Sequence, residues 1–585
     1  MEGNQKMKKL SLSFIVTGLC LALALPGFGM GDRPPFESQL VARAEVDECF
    51  NGIGQPYQPG PDCGRYDIPK ANQAYLWGLT KAGNKLWFGT AANMLCLVRA
   101  FNAYSDDDSG GTWQDLLSNV HPYQNDLWAC EYDDGLYPQS EMVSTVPEIF
   151  SDYRPPQIYT YDISTRVLTN MTDAISGVTD RLRLENTFGL RSAGSIGNLV
   201  FLSGPVALGR GINMFVFNAE TGEFIASSTL PQYQNIRKWL LMNNILYAAV
   251  ANEDGGGVVL RWEGNESSPF TFVEVGKLDG GGAEIVAHNG RIFVGTWPSR
   301  NEATPSKAGI WMSPAVPATG LTSADYSSWK KVWQTDEFEP DPLNASIYGV
   351  GAMASYGGYL YWGTMHIHGK AALVFMNQYN MGLIDFPLAY FNTWRASAVF
   401  RGKNFEATRQ VELLYGNKYL PVYVSSGSWG YWTIKKNKMG VSGKYGDAGF
   451  GNIYNNYVWT MAVYANQLFV GTMDHSYLWL DWDSLQQHYI YGDYVTIPTI
   501  QIPYIYTISE EEYGADLWRF PSTSSAAERV SRDGLGNFTN YGFRSSVTDE
   551  ATGLYIGTAN PASLHTDYYG KNIGGWELIR VYKTQ

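Results

Sequence analysis

One alternating pattern of apolar and polar residues recurs along most of this chain. In each copy an Asn or Gly turn precedes an apolar strand that ends in Gly-Thr or a similar small pair. The clearest copies are residues 84–90, 289–296, 357–364, 466–472 and 553–558, and weaker copies are residues 198–204, 243–249 and 417–424. Another apolar strand precedes each turn, and such turns between alternating strands predict β-hairpins. The pattern therefore predicts about eight repeated units.

Each predicted unit continues beyond its hairpin. A third strand follows the Gly-Thr pair, as at residues 258–262, 309–312, 516–520 and 576–581, and several units add a fourth, as at residues 270–275 and 329–333. Repeats of four short antiparallel strands predict an all-β fold, a single β-propeller of seven or eight four-stranded blades over residues 75–585. An array of β-sandwiches is the alternative, but sandwiches lack a fixed Gly-Thr phrase.

The last unit ends at its third strand, near Val581. Its fourth strand must come from elsewhere if the ring is to have no free edge. We expect the N-terminal extension, residues 30–74, to supply it from the segment around Tyr66 to Ile68.

On these repeats the chain resembles the secreted bacterial β-propellers whose units read Asn-x-Leu-Tyr-Val-Gly-Thr followed by a Leu-Trp-Arg strand. The resemblance covers nearly the whole chain after the leader. Such propellers include sugar-binding modules, adhesins, hydrolases and lyases, so the resemblance implies a fold and brings no catalytic residues with it.

Residues 106–113 resemble the Asp-box of sialidase-like propellers, with Asp106 in place of the usual Ser or Thr. A degraded second copy spans residues 323–329. In an Asp-box the Asp accepts turn amides and the Trp packs between strands, so we expect a structural role. Calcium binding by Asp106 to Asp108 is the alternative, although a calcium site needs more ligands than these.

The N-terminus predicts export. Lys6, Lys8 and Lys9 precede an apolar run over residues 10–25, and a Pro and a small-x-small pattern follow it by residue 29. This is the pattern of a signal peptide, residues 1–29, and a retained anchor is the alternative. No later stretch is apolar and long enough to span a bilayer. We expect a secreted, periplasmic or cell-surface protein.

The cysteines agree with an oxidising compartment. Cys49, Cys63, Cys96 and Cys130 remain after the leader, and four cysteines allow three pairings. We favour Cys49–Cys63, which closes a Gly/Pro-rich loop. Cys96–Cys130 would then tether the insertion over residues 101–156, which is the best candidate for a partner contact.

The formal net charge of the chain is −14. No basic tract offsets this charge, which argues against nucleic acid or an anionic membrane as the main partner. The abundance of Gly, Tyr and Trp suits strands and tight turns.

Loops that follow the Gly-Thr pairs share one rim of a propeller. The polar residues there include His366, His368, Asp474, His475 and His565. Imidazoles and a carboxylate that converge from neighbouring blades could hold a transition metal, and hydrogen-bonding rim histidines are the alternative. The sequence requires no cofactor.

Counting back from each turn places charged and aromatic residues on the innermost strands, which line the channel. Arg191, Arg237, Glu284, Glu412 and Arg544 are expected near equivalent positions of these strands, and Trp77 and Trp459 elsewhere on the ring. An Arg–Glu ring that satisfies itself is one interpretation. The other is a pocket for an anionic or sugar ligand, gripped by guanidinium groups and stacked on indoles.

No nucleophile elbow, phosphate loop or metalloprotease motif occurs in the sequence. The leading hypothesis is therefore a non-catalytic exported binding or surface-assembly propeller for a glycan or a protein partner. The alternative is an extracellular or periplasmic enzyme, either metal-dependent through the histidines or a glycan-acting hydrolase or lyase.

Overall fold

The computed structural model describes residues 35–50, 57–65, 67–94, 153–299, 306–382, 385–426, 429–476, 513–567 and 570–584. Strands dominate these residues, and three α-helices lie in the connections between strands. The helices are α1 (Val178–Glu185), α2 (His368–Tyr379) and α3 (Phe386–Thr393). None of the helices in the described residues is long and apolar enough to cross a membrane.

The strands, in chain order, have the following bounds. The first eleven are β1 (Phe36–Arg43), β2 (Glu48–Phe50), β3 (Ile68–Lys70), β4 (Gln73–Ala82), β5 (Lys85–Ala92), β6 (Ile158–Asp162), β7 (Leu168–Asn170), β8 (Ser192–Ile196), β9 (Leu199–Pro205), β10 (Ile212–Asn218) and β11 (Phe224–Leu230). The next twelve are β12 (Tyr233–Met242), β13 (Ile245–Asn252), β14 (Gly257–Trp262), β15 (Phe272–Leu278), β16 (Gly281–His288), β17 (Arg291–Trp297), β18 (Gly309–Met312), β19 (Lys330–Gln334), β20 (Tyr348–Tyr356), β21 (Tyr359–His366), β22 (Val399–Lys403) and β23 (Gln410–Tyr415). The last nine are β24 (Tyr419–Ser426), β25 (Trp429–Lys436), β26 (Asn455–Tyr464), β27 (Gln467–Asp474), β28 (Leu517–Phe520), β29 (Glu528–Ser531), β30 (Gly542–Asp549), β31 (Gly553–Ala559) and β32 (Glu577–Lys583).

The described strands pair into seven antiparallel units of four. Units 1 to 5 are β4–β7, β8–β11, β12–β15, β16–β19 and β20–β23; unit 6 is β26–β29; and unit 7 is β30–β32 with β1. The first strand of each unit contacts the first strand of the next, and β30 of unit 7 contacts β4 of unit 1. Four-stranded antiparallel units that close into a ring define a β-propeller, with the first strands around a central channel.

The strand that completes unit 7 differs from the one expected. β1 pairs antiparallel with β32, from Phe36 opposite Lys583 to Arg43 opposite Glu577. Ile68 instead begins β3, which pairs with β2 outside the ring, and Tyr66 lies outside the described residues. The N-terminal extension therefore supplies the ring-closing strand, as expected, but from β1 and not from the segment around Tyr66 to Ile68.

One predicted repeat is not a unit of the ring. Residues 417–424 fall largely in β24, which pairs only with β25 in a separate two-stranded sheet. This hairpin packs on α2, where Tyr423 and Trp432 contact Phe375. An alternating strand after an Asn turn predicts a hairpin but not its place in a larger sheet.

The Gly-Thr phrase marks where neighbouring units approach most closely. A Cβ added at Gly363 of unit 5 would lie 2.2 Å from the Cβ of Val458 in unit 6. At the closure, a Cβ on Gly557 of unit 7 would lie 2.5 Å from Cδ2 of Leu76 in unit 1. Only glycine fits there, because the backbone itself lies against the side chain of the next unit.

The threonine of the phrase has a separate role. Its hydroxyl oxygen accepts the backbone N–H at the start of the third strand, as from Ala398 to Thr364 at 2.8 Å and from Glu577 to Thr558 at 2.8 Å. The repeat is thus a packing and strand-capping device shared by most units.

The N-terminal extension carries the predicted disulfide. Cys49 and Cys63 are bonded, with an S–S distance of 2.01 Å, and this prediction is confirmed. Cys96, Cys130 and most of the insertion over residues 101–156 lie outside the described residues.

Candidate ligand site in the central channel

The first strands of all units except unit 2 have a β-bulge at one register. In β4, Leu76 is opposite Thr90 and Gly78 is opposite Gly89, which leaves Trp77 as the extra residue between them. A bulge re-aims the side chain of its extra residue. The bulge therefore explains how a strand packed between two neighbours can turn one side chain toward the channel.

The same register identifies the equivalent residues of other units. The extra residues are Arg237 in unit 3, Trp459 in unit 6 and Arg544 in unit 7. In unit 2, Arg191 directly precedes β8 at the corresponding position, since Ser192 is opposite Ser203. Arg191, Arg237 and Arg544 are thus at equivalent positions, as expected, and Trp77 and Trp459, which were expected elsewhere on the ring, share this position.

Units 4 and 5 have small residues at this position, Ala283 and Gly351. In those units a large residue directly after the threonine of the Gly-Thr phrase packs in the channel instead, namely Trp297 and Met365. We name the set of these large side chains, taken one from each unit, the channel ring. Its members are Trp77, Arg191, Arg237, Trp297, Met365, Trp459 and Arg544.

Arginines contact indoles within the channel ring. The guanidinium carbon of Arg191 lies 5.1 Å from the ring centroids of both Trp77 and Trp297. That of Arg237 lies 4.4 Å from Trp297, and its Nη1 lies 3.7 Å from the sulfur of Met365. Arg544 lies 5.5 Å from Trp459. Cation–π contacts of this kind hold the guanidinium groups in place but do not neutralise their charge.

The three arginines lack hydrogen-bonded counter-ions. Arg237 and Arg544 are each only 5% exposed, whereas Arg191 lies deep but keeps some surface on the channel. Within the described part of the chain, Nε of Arg191, Nε of Arg237 and Nη2 of Arg544 have no hydrogen-bond partner. Buried nitrogens of this kind are costly unless something satisfies them.

One carboxylate, that of Glu284, acts on the arginines from β16. Its Oε2 accepts a hydrogen bond from Nζ of Lys238 at 2.9 Å, so its charge is shared with another cation. Burial, followed by the charge of Arg237, lowers the pKa of Arg544 to about 9, although Glu284 opposes the shift. Burial and the other two arginines also lower the pKa of Arg191 well below its usual range. The channel ring is therefore a concentrated, incompletely compensated positive charge.

Tyrosines lie beside the channel ring. The hydroxyl groups of Tyr75 and Tyr541 are in hydrogen-bond contact, and Tyr75 packs edge-on against Trp77 and Trp459. Burial raises the pKa of Tyr541 well above its usual range, and Arg544 opposes this only in part. The hydroxyl of Tyr541 consequently stays protonated.

Glu412 lies elsewhere, and its expected position is wrong. It belongs to β23, the fourth strand of unit 5, where it pairs with Arg401 and Lys444. The alternating pattern of an outer strand resembles that of an inner one, so counting from a turn selected the wrong strand. Trp297 and Met365 were missed, although their constant position after Gly-Thr is a signal that the sequence contains.

The histidines of the predicted metal site have separate surroundings. His366 is fully buried, with Nε2 2.8 Å from Oδ1 of Asn344, and burial lowers its pKa well below the usual value. His565 packs edge-on against Phe538. His368 begins α2, and its side chain is outside the description.

His475 is the predicted ligand that lies beside the channel. Its Nδ1 is 2.7 Å from Oδ1 of Asn456, and its ring contacts Tyr457 and Tyr541. In the part of the chain that the structure describes, no three His, Cys, Asp or Glu side chains form a group that could hold a metal ion. Metal binding at this rim stays a prediction.

Asp474, the last residue of that prediction, accepts hydrogen bonds from protein donors. Nδ2 of Asn452 donates to it at 2.6 Å and the backbone N–H of Ser476 at 2.6 Å. Burial, together with the nearby carboxylate of Asp516, raises its pKa. Donors on both oxygens and a raised pKa suit a structural carboxyl group better than a metal ligand.

Residues 106–113, and with them the calcium alternative at Asp106 to Asp108, lie outside the described residues. In the degraded copy, Oδ2 of Asp325 accepts the backbone N–H of Thr322 at 2.8 Å. Nε1 of Trp329 donates to the carbonyl of Val275 in the preceding unit at 2.9 Å. The degraded copy thus provides a hydrogen bond between units 3 and 4.

No protein-family model matches this chain, and no curated protein does. Among solved structures, an exo-β-1,3-galactanase from Phanerochaete chrysosporium overlaps 56% of this chain and 60% of its own length, at 10% identity and a TM-score of 0.27. A luciferin-regenerating enzyme overlaps 66% of this chain and 87% of its own, at 8% identity and a TM-score of 0.32. The β-propeller domain of the Trilobed protease from Pyrococcus furiosus overlaps 62% and 90%, at 8% identity and a TM-score of 0.25. The scores are all below 0.5, so the β-propeller assignment rests on the strand pairing described above.

Proposed function

We propose that this chain is an exported, non-catalytic binding propeller of seven blades whose central channel takes an acidic ligand, either a glycan or an acidic group of a protein partner. The observation that carries the proposal is the set of three deeply placed arginines in the channel ring, which have nitrogens without a hydrogen-bond partner among the residues that the structure describes. A folded chain keeps such groups at a cost in stability. An anion that binds there would supply the missing hydrogen bonds and the missing negative charge, and this gain would contribute to its affinity.

Binding accounts for the site better than catalysis does. The channel ring offers fixed cations and flat apolar faces, which are the groups that hold and orient a ligand. The hydroxyl of Tyr541, which lies beside the channel ring, is poorly suited to act as a general base, because burial moves its pKa away from the working pH. The disulfide between Cys49 and Cys63 supports the exported part of the proposal.

A glycan array tests this function. Wild-type protein should retain acidic glycans and pass over their neutral counterparts, with binding that weakens as salt is raised. Arg237→Gln should lose at least tenfold in affinity. Arg401→Gln is the matched control, because Arg401 pairs with Glu412 on outer strands of unit 5. Equal retention by wild type and Arg237→Gln would contradict the proposal.

A further inference from the structure

We infer that the group which the channel ring recognises is a doubly charged tetrahedral oxyanion, namely a phosphate, free or as a monoester. This inference rests on the proposed function, since it names the chemistry of the ligand that the same site would take.

The first argument is charge. Arg191, Arg237 and Arg544 are close enough for the charge of Arg237 to lower the pKa values of the other two. The carboxylate of Glu284 stabilises the charged forms of Arg237 and Arg544, but it already forms a salt bridge with Lys238. A ligand with a single carboxylate would leave the positive charge of the three arginines in excess. A dianion balances more of this charge, and each added negative charge is attracted more strongly at a buried site than in water.

The second argument is the direction of the donors. Indoles lie against the guanidinium of Arg191 on two sides, and Trp297 also lies against Arg237. A guanidinium group is planar and donates hydrogen bonds from its edges, in the plane of the group. Arg191, Arg237 and Arg544 belong to different units and approach the axis from different directions. A tetrahedral oxyanion presents oxygens in several directions, whereas the two oxygens of a carboxylate lie in one plane.

A series of ligands that differ only in the acidic group tests the inference by calorimetry at pH 7.5. The probes are glucose 6-phosphate, glucose 6-sulfate, glucuronic acid, glucose, inorganic phosphate and inorganic sulfate. The first is a dianion, the second has the same shape with one charge, and the third is a planar monoanion. We expect glucose 6-phosphate or inorganic phosphate to bind at least tenfold more tightly than glucose 6-sulfate and glucuronic acid. The affinity should also rise between pH 5 and 7.5, as the second phosphate proton leaves near pH 6.

Comparison of glucose 6-phosphate with inorganic phosphate shows whether the site takes a phosphate monoester or the free ion. Tighter binding of glucose 6-phosphate than of inorganic phosphate would assign the site to an ester, and the reverse would assign it to the free ion. Arg191→Gln should bring the affinities for phosphate and carboxylate to within about threefold, whereas Arg401→Gln should leave the preference unchanged. Thermal unfolding of both variants without ligand shows whether they fold.

Two results would overturn the inference in distinguishable ways. If glucuronic acid binds as tightly as glucose 6-phosphate, and Arg237→Gln weakens both, the channel binds acids but does not select dianions. If none of the acidic probes binds, the proposed function fails together with the inference.

Discussion

Individual side chains of the channel ring oppose the stability of the free protein. An arginine that is buried without a hydrogen-bonded anion costs free energy, because its charge has left water and lies near like charges. The indoles of Trp77, Trp297 and Trp459 recover part of this cost by lying against the guanidinium groups. Such a net cost in stability is expected of residues that serve binding, because stability and function often conflict at binding sites.

Replacement of Arg544 should reveal the cost directly. Burial lowers the pKa of Arg544 to about 9 in the folded protein, well below its value in the unfolded chain. Below pH 9 the folded and unfolded chains both carry the charge, so the full penalty is present. Above pH 9 the folded protein loses the proton first, and the free energy of unfolding contributed by this group rises with pH.

We therefore expect Arg544→Gln to stabilise the free protein by about 1 kcal/mol or more at pH 7. The advantage of the variant should shrink as the pH rises above 9. Urea denaturation from pH 7 to 10.5 measures both quantities. A variant less stable than wild type at pH 7 would mean that Arg544 is compensated within the fold.

At the scale of strands, the repeated phrase was the most predictive feature of the sequence. Asn or Gly turns, alternating strands and Gly-Thr pairs correctly predicted the hairpins that begin most units. The same phrase predicted the inner position of Arg191, Arg237 and Arg544, because it fixes the register of the preceding strand. Glu412 was misplaced and residues 417–424 were counted as a blade, because alternation also occurs in outer strands and free hairpins.

The glycine of the phrase provides a prediction about packing. Gly363→Ala should destabilise the protein by about 2–3 kcal/mol, because its Cβ would meet the backbone-anchored Cβ of Val458 in the next unit. Gly358→Ala is the matched control on the same hairpin. No atom lies within 4 Å of its added Cβ, and its φ of +80° costs about 1 kcal/mol. Denaturant unfolding of both variants gives the comparison, and equal losses would argue against close packing between units 5 and 6.

At the scale of the whole molecule, the ring is closed by the two ends of the propeller chain. β1 completes unit 7, although its sequence has three consecutive polar residues, Glu37 to Gln39, and no Gly-Thr phrase. An outer strand buries only one of its sides, so its alternating pattern of apolar and polar residues is weak. In addition, β1 and its partner β32 lie more than five hundred residues apart in the sequence. The propeller was therefore predictable from local pattern, whereas the closing strand was not.

Removal of β1 should weaken the whole ring. A chain that lacks residues 35–43 would expose the edge of β32 and uncover Phe36's neighbours Tyr464 and Phe469. We expect a lower unfolding temperature and faster amide exchange in β32, with smaller changes in β12–β15 on the far side of the ring. Unchanged exchange in β32 would show that β1 is not required for closure.

The central claim is that the channel ring binds an anion, and the most direct test is the proton balance of binding. An anion beside Arg544 should raise its pKa, so binding of inorganic phosphate at pH 9 should take up about half a proton per anion. Calorimetry in two buffers of different ionisation enthalpy measures this number. We predict proton uptake at pH 9 in wild type, less uptake at pH 7.5, and less uptake at pH 9 in Arg544→Gln than in wild type. Binding without proton uptake at pH 9, or no binding at all, would contradict the account.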